Sequence, residues 1–64
     1  MRIIRLPEVI NRTGLSRSTI YSRISKNSFP HSISLGDRAV GWIESEIDEW
    51  IESRVRASKG VQIN

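Results

Sequence analysis

The sequence predicts a mainly α domain of three helices with a small two-stranded β-hairpin, arranged as a winged helix-turn-helix. Three observations predict this fold. Gly14 is followed by a short serine-capped helix with a polar, basic face; two alternating polar and apolar runs flank a Gly-Asp turn; and a third helix with one apolar stripe follows. The 64 residues suffice for one small domain.

The first helix is predicted over about Pro7–Arg12. Proline suits the first turn of a helix, where its missing N–H is not needed. Apolar residues at i, i+3 and i+4 from Leu6 give it one buried stripe. Residues 1–5 are compatible with a short strand or an ordered arm. Gly14 ends the helix, because glycine tolerates the left-handed conformation that reverses the chain.

The second helix is predicted over about Arg17–Lys26, with Ser16 as its N-cap. Ile20 and Ile24, four residues apart, form its buried side. The opposite side carries mostly short hydroxylated side chains. These let a helix approach another surface closely and bond to phosphates or bases.

The hairpin is predicted from residue 32 to residue 43. Pro30 disfavours helix before it, and Ser32–Leu35 alternates as a half-buried strand. A turn around Asp37 leads to the second strand, Ala39–Ile43. Glycine at position 41 of that strand indicates a bulge or a close backbone approach.

The third helix is predicted over about Glu46–Ser58, with Ser45 as its cap and Asp48 completing an approximate capping box. Acidic residues in its first turn and basic ones in its last turns match the helix dipole. Gly60 predicts a stop, so we expect a domain over residues 1–58 and a flexible tail over 59–64. The apolar stripe comprises Ile47, Trp50 and Ile51, with Val55 as a candidate continuation.

Charge and composition narrow the function. Residues 1–38 hold seven basic and two acidic side chains, whereas residues 39–53 hold five acidic and no basic ones. A basic front and an acidic back are typical of a polyanion-binding face on a solvated scaffold. The absence of cysteine excludes disulfides and thiolate metal sites. No apolar run reaches the length of a membrane span, so we expect a soluble, cytoplasmic protein.

Other function classes have weaker support. No nucleophile–base pair, phosphate loop or metal cluster indicates an enzyme, and no cofactor or metal is expected; His31 stands alone. The acidic residues 44–49 are expected to serve capping and solubility. Trp42 and Trp50 are expected in the core rather than as stacking platforms for single strands, which also disfavours RNA binding. A protein-interaction module using helix 3 and the tail remains an alternative.

Four segments resemble the AlpA family of small phage- and prophage-type regulators. They are residues 15–21 (LSRSTIY), Phe29-Pro30, residues 35–42 (LGDRAVGW) and residues 44–51 (ESEIDEWI). The resemblance covers roughly residues 4–52. It implies a winged helix-turn-helix similar to MerR-type and excisionase DNA-binding domains, and a role in transcription control of mobile elements. Some relatives act as excisionases, which bend DNA and contact an integrase, and this is the alternative function.

The expected ligand is double-stranded DNA, with the helix over about 16–26 in the major groove and the wing, residues 35–40, on flanking DNA. An integrase or RNA polymerase is a candidate protein partner, self-association on DNA is a further candidate, and no membrane partner is expected. The predicted DNA contacts are Ser16, Arg17, Ser18, Thr19, Tyr21, Ser22, Arg23, Lys26 and Arg38.

Overall fold

A computed structural model describes the backbone of residues 1–63 and the side chains of residues 1–59. Along this part of the chain lie three helices and three short strands. They confirm the predicted mainly α domain with a small β wing. The elements are β1 (Ile3–Ile4), α1 (Leu6–Thr13), α2 (Arg17–Ser25), β2 (Ile33–Gly36), β3 (Ala39–Ile43) and α3 (Glu44–Ile63).

The strands form an antiparallel sheet in the order β1-β3-β2, so β3 is central. Ile4 lies opposite Trp42, and Ser34 lies opposite Val40. The sequence left residues 1–5 as either a strand or an arm, and the pairing with β3 assigns β1 as a strand. The N-terminus is thereby tied to the hairpin that carries the wing.

The core is formed by six apolar side chains that are at most 4% exposed. Each described element except β2 contributes one residue, and the loop between α2 and β2 contributes a phenylalanine. Full burial of a large apolar side chain contributes about 1.5–3 kcal/mol relative to leaving it exposed. The six residues are Ile4, Val9, Ile20, Phe29, Trp42 and Ile47.

The prediction that the first hairpin strand is half-buried was wrong, because every residue of β2 is exposed. Ile33 is 37% exposed and Leu35 is 45% exposed. β2 is an edge strand, and the register places Ile33 opposite Gly41. Side chains alternate across a sheet, so Ile33 lies on the face away from Trp42 and the core. Alternation predicted the strand correctly but not the face that is covered.

The long helix α3 differs from its prediction at both ends. It begins at Glu44 directly after β3, so Ser45 lies inside the first turn and is not the cap. The Glu44 N–H donates to the Arg2 carbonyl oxygen at 2.8 Å, which ties the helix start to β1. The helix runs to Ile63, past the stop predicted at Gly60. The flexible tail stays a prediction, and Asn64 lies outside the described residues.

No helix in the described part of the chain is both long enough and apolar enough to cross a membrane.

Arg12 joins α1 to α3 through ion pairs. Its guanidinium donates to Glu8 Oε2 at 2.8 Å, to Glu44 Oε2 at 2.8 Å and to Asp48 Oδ1 at 3.1 Å. These bonds, the one to Glu8 first, raise the pKa of Arg12 above its ordinary value. Arg12 therefore belongs to the scaffold, although the sequence counted it within the basic front. Two of the acidic residues at the start of α3 hold elements together.

Gly41 lies where two side chains and a backbone approach β3, as its place in the strand predicted. A Cβ atom built there would lie 2.5 Å from Ile3 Cγ2 and 3.2 Å from both the Ile4 carbonyl oxygen and Leu35 Cδ1. We expect Gly41→Ala to lower the free energy of unfolding by about 1–3 kcal/mol, the usual cost of overpacking. Urea denaturation measures this cost. Ser34→Ala, on the exposed edge strand, is the control, and an equal loss in both variants would contradict the close approach.

Candidate nucleic-acid interface

The turn between α1 and α2 is built by Gly14 and Ser16. Gly14 has a φ of +74°, and its N–H donates to the Ile10 carbonyl oxygen at 2.8 Å. Ser16 has an extended backbone, and its Oγ accepts a hydrogen bond from the Thr19 N–H at 3.2 Å. The predicted stop and the predicted cap are both confirmed. The start of α2 is thus set by bonds within a few residues.

The outward side of α2 carries basic and hydroxylated side chains. Ile20 is 0% exposed on the inward side, whereas Arg17, Ser18 and Ser22 are exposed. The helix has two arginines and no acidic residue, so no carboxylate within it neutralises their charge. Serine hydroxyls both donate and accept hydrogen bonds, which suits contact with phosphates and base edges.

Arg17 is held over an aromatic side chain that contacts the core. Its Cζ lies 5.8 Å from the ring centroid of Tyr21, within cation–π range. The Tyr21 ring in turn meets Trp42 edge to face, with centroids 6.4 Å apart and planes inclined at 62°. Tyr21 is 38% exposed and Trp42 is fully buried. This stack connects an exposed guanidinium to the central strand.

A polar groove of about 540 Å³ follows the second half of α2. Arg23 is partly exposed, but its Nε is buried and has no hydrogen-bond partner within the described residues. A buried donor without a partner is unfavourable for stability. The Arg23 carbonyl oxygen accepts from the Ser28 N–H at 2.9 Å, which folds the chain back beside the helix end. The lining residues are Ser18, Thr19, Ser22, Arg23, Lys26 and Ser28.

The wing tip has an unusual backbone for its sequence. Asp37 and Arg38 have φ values of +46° and +66°. Positive φ at both central residues is the signature of a type I′ hairpin turn, where asparagine and glycine are preferred. Gly36, with φ of +92°, precedes them without steric cost. The exposed Arg38 occupies a position where glycine would be more stable.

Arg38→Gly is expected to have opposite effects on stability and on DNA binding. Relief of the left-handed conformation raises the free energy of unfolding by about 0.5–1 kcal/mol, whereas loss of the guanidinium weakens DNA binding. Chemical denaturation and fluorescence anisotropy with duplex DNA measure the two effects. Asp37→Gly is the matched control, because it relaxes the same turn without removing a positive charge. Unchanged DNA affinity in Arg38→Gly would contradict a contact by the wing.

The two tryptophans do not form an exposed stacking platform. Trp42 is 0% exposed, and its Nε1–H donates to the Pro30 carbonyl oxygen at 3.1 Å. Trp50 is partly buried, its Nε1–H donates to the Ser28 carbonyl oxygen at 2.9 Å, and its ring meets Phe29 with centroids 4.8 Å apart. Both rings fasten the loop between α2 and β2. The core position predicted for Trp42 is confirmed, and Trp50 packs at the core's edge.

Eight of the nine residues predicted to contact DNA lie on α2 or its caps, residues 16–26, and Arg38 lies at the wing tip. Thr19 and Arg23 are partly buried and the others are exposed. Sequence reasoning missed Ser28, which lines the same groove. Asn27, with φ of +58°, turns the chain so that Ser28 returns beside α2. The available signal was a hydroxylated side chain three residues past the end of α2.

The comparisons with known proteins agree with this architecture. Residues 2–55 match the family of the prophage CP4-57 regulatory protein (AlpA). The chain belongs to the AlpA family. It is 47% identical over 62 residues to the DNA-binding transcriptional activator AlpA of Escherichia coli (strain K12), an alignment that covers 88% of this chain and 89% of that protein.

A second relative of this chain comes from Enterobacteria phage P4. The chain is 47% identical over 58 residues to this uncharacterized protein, ORF88. The alignment covers 91% of this chain and 66% of the phage protein, so the chain spans about two thirds of that relative's length.

Proposed function

We propose that this AlpA-family protein is a sequence-specific double-stranded DNA-binding regulator of transcription in a prophage or mobile element, acting in the bacterial cytoplasm. The observation that carries the proposal is the exposed face of α2, which is basic. The helix is capped by Ser16 and contains no carboxylate. The relative from E. coli bears the name of a DNA-binding transcriptional activator. That name favours a regulator over the alternative, an excisionase.

In the proposed complex the first turn of α2 meets the base edges of the major groove. Arg17 is the first residue of α2, and recognition helices contact bases with their N-terminal residues. A guanidinium fork matches the O6 and N7 acceptors of guanine. The Tyr21 ring beneath Arg17 restricts the directions that its fork can take. We therefore assign direct base recognition to Arg17.

The groove beside the second half of α2 is proposed to seat the DNA backbone. A phosphate oxygen there would accept charge-assisted hydrogen bonds from the guanidinium of Arg23, which lines the groove. Lys26 adds a positive charge and the serine hydroxyls add donors along the same groove. Phosphate contacts fix the register of a protein on DNA without reading its sequence. Arg38 on the wing extends these contacts to the flanking backbone or minor groove.

The proposed activity is binding alone, with no catalytic step. A regulator of this kind changes transcription by recruiting or blocking RNA polymerase, which is therefore the proposed protein partner. One short recognition helix and one wing cover few base pairs, so useful affinity needs repeated sites or a second copy.

The proposal is tested by selecting duplexes from a random double-stranded pool and measuring affinity for the selected and scrambled sequences. We expect the selected duplex to bind at least ~100-fold more tightly. With about four phosphate contacts, the slope of log K against log salt is expected near −3 to −4. Equal affinity for the selected and scrambled duplexes would contradict sequence-specific binding, and tighter binding to the matching RNA duplex would contradict a DNA ligand.

A further inference from the structure

A second groove lies between α3 and the segment that leads into β2. It has a volume of about 740 Å³. Its apolar floor includes Ile33, Ile43 and Trp50, and Ile33 is 37% exposed. Its rim carries Glu46 and Glu49, which form no ion pair within the described residues. Arg56 lies at the far end and pairs with Glu52 of the same helix at 3.5 Å, with both side chains exposed. The acidic rim is suited to a segment with positive charge.

The second half of α3 leaves the body of the domain. After Ile51, all described side chains of the helix, residues 52–59, are exposed. Val55 is 46% exposed although it continues the apolar stripe. A helix of 20 residues is about 30 Å long, and the longest dimension of the molecule, 48 Å, is about twice the next, 25 Å. The domain itself therefore does not cover this half of α3.

The charges on α3 are separated along its length. Residues 44–52 hold five acidic and no basic side chains, whereas residues 54–59 hold three basic and no acidic ones. Two such helices placed antiparallel bring the basic half of each beside the acidic half of the other. A surface that is complementary to itself in this way is what a two-fold symmetric dimer requires.

We infer that two copies of this chain associate through α3, with the exposed half of each helix in the groove of the other copy. The axis passes near Ser53, which lines the groove and is small enough for close helix approach. Positions equidistant from residue 53 then face each other, so residues 49 and 50 of one copy meet residues 57 and 56 of the second. Glu49 then lies beside Arg56 of the second copy.

A second copy fits better than an unrelated basic protein, because the acidic rim and the basic segment both belong to α3. They lie at similar distances from Ser53, so each can meet the other across a two-fold axis. In this dimer the surface that contacts the second copy is separate from the proposed DNA surface. α2 and the wing remain free for DNA, and the dimer carries two recognition helices. The inference goes beyond the proposed function, and its test contains no DNA, so either can fail without the other.

The test is sedimentation velocity of the whole chain at about 10–200 µM, where a small dimer interface produces a measurable monomer–dimer equilibrium. Glu49→Arg and Arg56→Glu each place like charges together twice in the two-fold interface. Each is expected to weaken dimerisation by about tenfold or more. Asp37→Arg is the control, because it makes the same change of charge as Glu49→Arg at the wing tip. Far-UV circular dichroism confirms that each variant folds.

Mixing the two single variants gives the decisive result. In a mixed pair, both contacts between positions 49 and 56 join opposite charges again, so heterodimers are expected to form with about wild-type affinity. The double variant Glu49→Arg/Arg56→Glu is expected to dimerise for the same reason. A wild-type chain that stays monomeric over the whole concentration range would overturn the inference. So would single variants that dimerise like the control, or a mixture that stays monomeric.

Discussion

Arg17→Ala is expected to weaken binding to the selected duplex by about 10- to 100-fold while leaving binding to scrambled DNA nearly unchanged. Arg17 opens α2, is exposed, and lies over the Tyr21 ring at 5.8 Å. A contact to a base edge affects only the correct sequence, whereas a contact to phosphate affects all sequences alike. Fluorescence anisotropy on both duplexes over a salt series separates the two kinds of contact.

The chain contains a closely matched control for this substitution. Arg54 on α3 lies 5.9 Å from the ring centroid of Trp50, so Arg54→Ala removes the same charge and the same kind of cation–π contact. It does so outside the proposed DNA interface, and we expect less than about a twofold effect on affinity. If Arg54→Ala weakened specific binding as much as Arg17→Ala, recognition by α2 would be refuted.

Trp42→Ala is expected to leave the protein largely unfolded at 25 °C. Replacing a buried tryptophan by alanine costs about 3–5 kcal/mol, and a domain of this size has only about 3–5 kcal/mol of stability. Trp42 is fully buried on the central strand, donates a hydrogen bond to Pro30 and contacts Tyr21. Circular dichroism with thermal and urea denaturation measures the loss.

Two phenylalanine substitutions distinguish packing from the hydrogen bond. Trp42→Phe keeps most of the apolar volume but leaves the Pro30 carbonyl without its donor, so we expect a loss of about 1–3 kcal/mol with a folded protein. Trp50→Phe, at the partly buried edge of the core, is expected to cost less. A Trp42→Ala variant that unfolds at the wild-type midpoint would show that the sheet is not anchored by this ring.

The parts of the fold that the sequence predicts are those set by neighbouring residues. Gly14 and Ser16 form hydrogen bonds with backbone groups at most four residues away. Their roles as helix stop and helix cap can therefore be predicted from the local sequence. The bounds of α1 and α2 fall within one residue of those predicted, and those of β3 agree. The close approach at Gly41 was also foreseeable, because a glycine inside a strand has few other uses.

The parts that the sequence did not predict depend on residues far apart in the chain. Arg12 pairs with Glu44 and Asp48, which lie 32 and 36 residues away, whereas the spacing along the chain indicates only its pair with Glu8 within α1. The pairing of β1 with β3 and the exposure of β2 also depend on which elements meet in space. Ser45 looked like a cap because it precedes an amphipathic run, but α3 continues directly from β3.

These corrections sharpen the charge map of the domain. With Arg12 held in the scaffold, the positive charge of the proposed DNA interface is carried by α2, its C-cap Lys26 and the wing. Two of these charges, Arg23 and Lys26, line the groove beside α2. The acidic first half of α3 belongs instead to the proposed contact with a second copy.

Titration of ¹⁵N-labelled protein with the selected duplex, followed by NMR, shows directly whether α2 and the wing contact DNA. We expect the largest amide shift changes in residues 16–28 and 36–39, with small changes along α3. Largest changes along the α3 groove, with α2 unaffected, would contradict it.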